Sequence, residues 1–87
     1  MQRLIKRLIF IDDDKDNRRQ WLEWSERNGY TAKAFETAYE ANNHPADCYI
    51  FDVSAVSPML VIHHAYAPIA RLMQDHPGAE IIIGSCI

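Results

Sequence analysis

The sequence predicts an α/β domain built on a parallel sheet of about four strands with helices on both faces. Four short apolar runs are expected to be strands, and the first, which does not alternate with polar residues and stops at aspartates, is typical of a buried parallel strand. Segments with helical periodicity separate them, and this β-α-β-α-β-α-β order implies right-handed crossovers. The expected strands are residues 3–11, 30–35, 47–53 and 79–86, and the expected helices are residues 15–28, 36–43 and 68–76.

Turn-forming residues mark the ends of these elements. The first strand, RLIKRLIFI, stops at three consecutive aspartates, and Asn28–Gly29 is a typical end of the first helix. Pro45 and Pro77–Gly78 follow the second and third helices, where proline cannot continue the helix. Residues 54–66 give a weaker pattern, which we interpret as a loop with a helical turn.

Composition limits the classes of function that are open to the chain. With 87 residues, 48% of them apolar, we expect one folded domain over residues 1–87. The net charge of −3 and the lack of a large basic cluster argue against nucleic-acid binding. No apolar run is long enough for a membrane span, so we expect a cytoplasmic protein without a membrane partner. In that compartment Cys48 and Cys86 should be reduced and buried.

Polar residues follow three of the predicted strands. Asp12, Asp13 and Asp14 come after the first strand, Asp52 ends the third, and Ser85 ends the fourth. In an open parallel sheet the carboxyl ends of neighbouring strands form the binding site. Two carboxylates about 4 Å apart repel each other by roughly 4 kcal/mol at an effective dielectric constant near 20. Hard oxygen ligands of this kind suit Mg²⁺, which we expect to be the cofactor if these strands are neighbours.

Three segments together resemble the receiver domain of bacterial response regulators. LIFIDDDKDNR is similar to the first strand and acidic turn of that family, DCYIFDV to its third strand, and EIIIGS to its fourth. The three segments occur in the family's order and at roughly its spacing. The resemblance implies a partial flavodoxin-like sheet, and it covers essentially the whole chain but only the first two-thirds of a receiver.

The resemblance also implies a role for individual residues. Asp12 and Asp13 would be the acidic pair, with Asp13 the direct metal ligand. Asp52 would accept the phosphoryl group and would also bind Mg²⁺ together with Asp12 and Asp13, and the backbone carbonyl of Ser54 would complete the metal shell. Ser85 would donate a hydrogen bond to a phosphoryl oxygen. A histidine kinase, another signalling protein or a small phosphodonor would be the partner.

Two departures from the family weaken the case for phosphorylation. The family's lysine-bearing fifth strand has no counterpart before Ile87, so we expect a receiver truncated after its fourth strand. Val56 stands where the family usually has a proline, and the nearest proline is Pro58. We therefore expect an interaction module with a vestigial or active Mg²⁺-dependent acceptor site at Asp52. A fully phosphorylatable receiver is the alternative.

Other interpretations of the aspartates remain open. Asp14 is placed to cap the following helix, which is the common structural role of aspartate at this position. A haloacid-dehalogenase-like phosphatase would use Asp12-x-Asp14 as its nucleophile motif and Ser85 as its second motif, but it leaves Asp52 unexplained. A calcium-binding loop is disfavoured because Asn17 occupies the position that needs glycine.

The predicted fourth strand also suggests self-association. If the strand order is that of a receiver, this apolar strand lies at an open edge of the sheet. We expect a homodimer, formed edge to edge through residues 80–85 or by packing around Trp21 and Trp24. Those two tryptophans lie three positions apart on one helical face, where core packing is the default role.

Overall fold

The computed structural model of the chain describes residues 6–52 and 69–84, which form an α/β fold around a parallel sheet. The strands of this part are β1 (Arg7–Ile11), β2 (Thr31–Phe35), β3 (Cys48–Asp52) and β4 (Glu80–Gly84). Its helices are α1 (Lys15–Arg27), α2 (Ala38–Ala41) and α3 (residues 69–75). The strand order is β2-β1-β3-β4, with every neighbouring pair parallel. Within these residues, no helix has the length and apolar character needed to cross a bilayer.

In the described residues the predicted α/β class and the order of elements are confirmed, and the second helix is half as long as expected. The second helix covers only Ala38–Ala41, not residues 36–43. Thr37 ends the extended backbone, and its hydroxyl accepts a hydrogen bond from the backbone N–H of Glu40, so it is the N-cap of the helix. Asn42 closes the helix as its C-cap. The segment 54–66, predicted as a loop with a helical turn, lies outside the described residues.

Side chains of β1 alternate between the two faces of the sheet, and helices cover both faces. Leu8 and Phe10 pack with Cys48 on the face that α1 covers. Ile9 and Ile11 pack with residues of α2 and α3 on the opposite face, among them Leu72. A strand buried on both faces needs an uninterrupted apolar run, which is why LIFI is continuous rather than alternating.

Helix α1 is held by its caps and by a row of aromatic rings. Gly29, with φ of 80°, follows the C-cap in the left-handed conformation that glycine adopts without strain. The ring of Trp21 stacks on Phe10 with centroids 5.1 Å apart, and Trp24 meets Trp21 edge-on at 6.3 Å. Trp24 in turn stacks on Tyr30 at 5.8 Å. The shared face of the two tryptophans is confirmed, but Trp24 is 39% exposed and only Trp21 is half-buried.

Candidate functional site

The carboxyl ends of β1 and β3 lie side by side, as a shared site requires. Leu8 pairs with Cys48 and Ile11 with Phe51, so the register brings the next residues, Asp12 and Asp52, to adjacent strand ends. On the other side of β3, Asp52 pairs with Gly84 of β4. The predicted site requires β1, β3 and β4 to be neighbours, and the strand order shows that they are.

Asp12 is the buried residue of the acidic turn. Its side chain is 1% exposed, although aspartate is rarely buried unless it is paired. The Oδ1 atom accepts a hydrogen bond of 2.9 Å from the backbone N–H of Asp14, but no group in residues 6–52 and 69–84 donates to the buried Oδ2 atom. A buried polar atom without a partner costs about 1–3 kcal/mol, and more when the group is charged. The Oδ2 atom of Asp12 can therefore accept a cation or a donor that lies outside the described residues.

Asp13 and Asp52 complete the acidic end of the sheet. Asp13 is exposed and Asp52 is half-buried, so both are more accessible than Asp12. Each takes part in an interaction within the protein. The two remaining residues of the predicted site, Ser54 and Ser85, lie outside the described residues.

Asp14 has the capping role that the sequence suggested. It is the N-cap of α1, where its backbone is extended and its Oδ1 atom accepts hydrogen bonds from the backbone N–H groups of Asp16 at 2.8 Å and Asn17 at 3.1 Å. These bonds satisfy two of the amides that a helix leaves unpaired at its start. The three consecutive aspartates thus have different surroundings, and Asp14 serves the fold.

Arg18 is a residue near this site that the sequence did not single out. Its Nη1 atom donates a hydrogen bond of 2.7 Å to the backbone carbonyl of Asp12. The contact fixes the acidic turn against α1. The sequence signal was a basic residue one helical turn after the N-cap, but such residues are usually solvated.

The donor set fits Mg²⁺ at the level of ligand chemistry. Residues 6–52 and 69–84 contain no group of three or more His, Cys, Asp or Glu side chains placed to bind one metal ion. Mg²⁺ usually takes only one or two protein carboxylates and completes its shell with water and phosphate oxygens. The unpartnered Oδ2 atom of Asp12, next to the end of β3 that carries Asp52, meets that smaller requirement.

The buried thiol and phenol of β3 do not extend the site. Burial raises the pKa of the Cys48 thiol, and the nearby carboxylates of Glu80 and Asp47 raise it further. Burial also raises the pKa of Tyr49, whose hydroxyl donates a hydrogen bond to the backbone carbonyl of His44. A buried thiol with a raised pKa is a poor nucleophile, so Cys48 is a packing residue. It is free and buried, as predicted, whereas Cys86 lies outside the described residues.

Comparisons with known proteins do not place the chain in a family. No family model matches it, and no curated protein is significantly similar to it. A proposal for its function therefore depends on the residues and geometry of the acidic end of the sheet.

Proposed function

We propose that this chain is a receiver-like signalling domain whose Asp52 accepts a phosphoryl group with the help of Mg²⁺, and whose output is contact with another protein. The observation that carries the proposal is the buried Asp12, whose Oδ2 atom has no partner in the described part of the chain, next to the end of the strand that carries Asp52. The strand order β2-β1-β3-β4 supports it, because a flavodoxin-like sheet begins in this way. Because one fold can host many different functions, the function is inferred from the residues of the site and not from the strand order alone.

The chemistry divides between the aspartates. A carboxylate oxygen of Asp52 attacks phosphorus and forms the new O–P bond, while the bond from phosphorus to the donor breaks and the donor leaves with the electron pair. The phosphoryl group brings about −1.5 to −2 charges to an end of the sheet that is already acidic. When bound, Mg²⁺ supplies the positive charge that offsets this accumulation. Asp12, Asp13 and Asp52 would hold the ion, and Asp52 is half-buried and thus more accessible than Asp12.

The acceptor role is tested by incubation with acetyl phosphate and Mg²⁺, followed by measurement of the intact mass. We expect one phosphoryl adduct in the wild-type protein and none in Asp52→Asn. Asp16→Asn is the matched control, because Asp16 is an exposed aspartate of α1 and should leave the adduct unchanged. An adduct that persists in Asp52→Asn would refute the assignment.

The cation site is tested separately by calorimetry. We expect heat of binding at millimolar Mg²⁺ for the wild-type protein and a much smaller heat for Asp13→Ala. Trp21 and Trp24 lie on the helix that follows the acidic turn, so their fluorescence offers a second signal. Equal, negligible heats for the two proteins would contradict the proposal that this end of the sheet binds Mg²⁺.

A second candidate function is an interaction module that keeps the fold without the phosphoryl switch. It is favoured by the large apolar side chains that remain exposed on α1 and β4, which are Leu22, Trp24, Ile82 and Ile83. Binding of beryllofluoride, which resembles a phosphoryl group, separates the two candidates. Binding that requires both Mg²⁺ and Asp52 supports the phosphorylated receiver, and lack of binding supports the interaction module.

The geometry gives less support to a haloacid-dehalogenase-like phosphatase. Its nucleophile would be Asp12, which is 1% exposed and less accessible than Asp52. Its second carboxylate would be Asp14, which is engaged by the first turn of α1. This hypothesis predicts release of phosphate that depends on Asp12 and not on Asp52.

A further inference from the structure

We propose that the outer edge of β4 pairs with the same edge of a second copy of the chain, antiparallel and about a two-fold axis, so that the two sheets become continuous. Strand β4 lies at the end of the sheet order, and none of the described strands pairs with its outer edge. An unpaired edge presents backbone donors and acceptors in a row, and an apolar edge invites pairing with another chain. This proposal does not depend on phosphorylation or on Mg²⁺.

The direction of the backbone groups on β4 selects which residues can pair outward. The backbone N–H of Glu80 donates to the carbonyl of Asp47 at 3.0 Å, so the backbone groups of Glu80 face β3. Because the direction alternates along a strand, Ile82 and Gly84 also face β3. The backbone groups of Ile81 and Ile83 therefore point to the open edge.

One antiparallel register uses these outward groups fully. With Ile82 opposite Ile82 of the second copy, Ile81 of each chain lies opposite Ile83 of the other. Each of these Ile81–Ile83 pairs can exchange both of its backbone hydrogen bonds, and the central Ile82 pair is the closer, non-hydrogen-bonded kind. A shift of one residue would place outward groups opposite inward ones and lose the hydrogen bonds. A two-fold interface needs a self-complementary surface of this kind.

Side chains match in the same register. Ile82 is 48% exposed and Ile83 is 57% exposed, and pairing covers each with an isoleucine from the other copy. Glu80 falls opposite Gly84, so no two like charges face each other across the junction. The pairing thus joins apolar to apolar and keeps the one charged residue of the strand away from its symmetry mate.

The opposite edge of the sheet, formed by β2, is less suited to self-pairing than the edge formed by β4. Strand β2 carries Lys33, an exposed lysine, at its centre. Self-pairing about the centre of β2 would bring two lysines together, and a charged residue on an edge strand is a common protection against pairing. Strand β4 has an isoleucine at the equivalent central position, so the second copy is expected at β4 and not at β2.

Sedimentation of the full chain from micromolar to millimolar concentration tests the proposal. We expect a monomer–dimer equilibrium that Ile83→Pro weakens by about ten-fold or more, because proline removes an outward N–H and is tolerated on an edge. Leu22→Lys, which changes the exposed surface of α1, should leave the equilibrium unchanged. Ile83→Lys serves as the second variant if the proline variant does not fold.

Amide hydrogen exchange gives an independent readout without any substitution. Amides of Ile81 and Ile83 should become more protected as the protein concentration rises, whereas the amide of Ile82, which faces β3, should not change. A monomer at all concentrations overturns the proposal. So does a dimer that Leu22→Lys dissociates and Ile83→Pro preserves, because that result places the interface on α1.

Discussion

Aspartates lie at both ends of the β1–β3 pair, and Asp47 at the amino end differs from Asp12 at the carboxyl end in the hydrogen bonds that its carboxylate accepts. At the amino end, Asp47 Oδ2 accepts hydrogen bonds from the backbone N–H groups of Lys6 at 3.0 Å and Arg7 at 2.9 Å. At the carboxyl end, the Oδ2 atom of Asp12 is buried and accepts no hydrogen bond from the residues that the structure describes. Asp47 thus stabilises the fold by satisfying two backbone amides. A buried carboxylate oxygen without a donor, as in Asp12, is expected to lower the free energy of unfolding, which is common at functional sites.

The rest of the amino end is also held by polar contacts. Asp75 accepts hydrogen bonds from Asn42 at 2.7 Å and from Arg71 at 3.1 Å, and the Nε2 atom of His76 lies 2.9 Å from the backbone carbonyl of Asn42. Among the described residues, Asn42 Oδ1 is the other buried side-chain atom without a partner. It belongs to a neutral amide, so its cost is smaller than that of a buried carboxylate.

Removal of the amino-end aspartate should have the largest effect. We expect Asp47→Ala to lower the free energy of unfolding by about 2 kcal/mol, because it removes an acceptor that ties β3 to the start of β1. Asp47→Asn retains an acceptor and should lose less. Urea denaturation followed by tryptophan fluorescence measures both, and a loss below about 0.5 kcal/mol in Asp47→Ala would contradict the structural role.

Replacement of the carboxyl-end aspartate should act in the opposite direction. We expect Asp12→Asn, in the presence of a chelator, to raise the free energy of unfolding by about 1–2 kcal/mol, because it removes a buried charge and keeps the acceptor for the Asp14 amide. The same variant should lose Mg²⁺ binding. Asp16→Asn, at an exposed aspartate, is the control and should change neither quantity. A less stable Asp12→Asn would show that the carboxylate supports the fold.

Substitutions of Asp14 test whether this residue only caps α1 or also belongs to the candidate site. We expect Asp14→Ala to cost about 1 kcal/mol of stability, since the amides of Asp16 and Asn17 lose their acceptor. Asp14→Ser should recover most of the loss because serine is also a good N-cap. Neither variant should prevent phosphorylation by acetyl phosphate, so an adduct that disappears in both would assign Asp14 to the site.

The smallest effect concerns acid sensitivity at the amino end. Hydrogen bonds from Asn42 and Arg71 hold the pKa of Asp75 below its ordinary value. A lowered pKa in the folded state gives stability that is present above the unfolded pKa and is lost as the pH falls below about 4. Asp75→Asn should therefore lose slightly less stability than the wild type between neutral and acidic pH. A steeper acid transition in the variant would contradict this assignment.

Local signals in the sequence were enough to determine the elements of the fold. The run LIFI predicts a strand buried on both faces because an amphipathic strand would alternate, and Asn28–Gly29 marks the end of α1 because glycine adopts a positive φ freely. The position of Asp52 at the end of β3 follows from the same reasoning. The second helix was overestimated because the capping contact of Thr37 is not visible in the apolar pattern.

Tertiary structure alone decided that Asp12 is the buried aspartate of the acidic turn. Asp12, Asp13 and Asp14 are chemically identical and share one turn; the sequence indicated Asp14 as the cap of α1, but it cannot say which of Asp12 and Asp13 is buried and which is exposed. Packing of α1 against the sheet and the pairing of β1 with β3 bury Asp12, while the start of the helix engages Asp14. The contact from Arg18 to the carbonyl of Asp12 depends on that same packing. Sequence determines secondary structure through local preferences, but the environment of a carboxylate depends on residues that are distant along the chain.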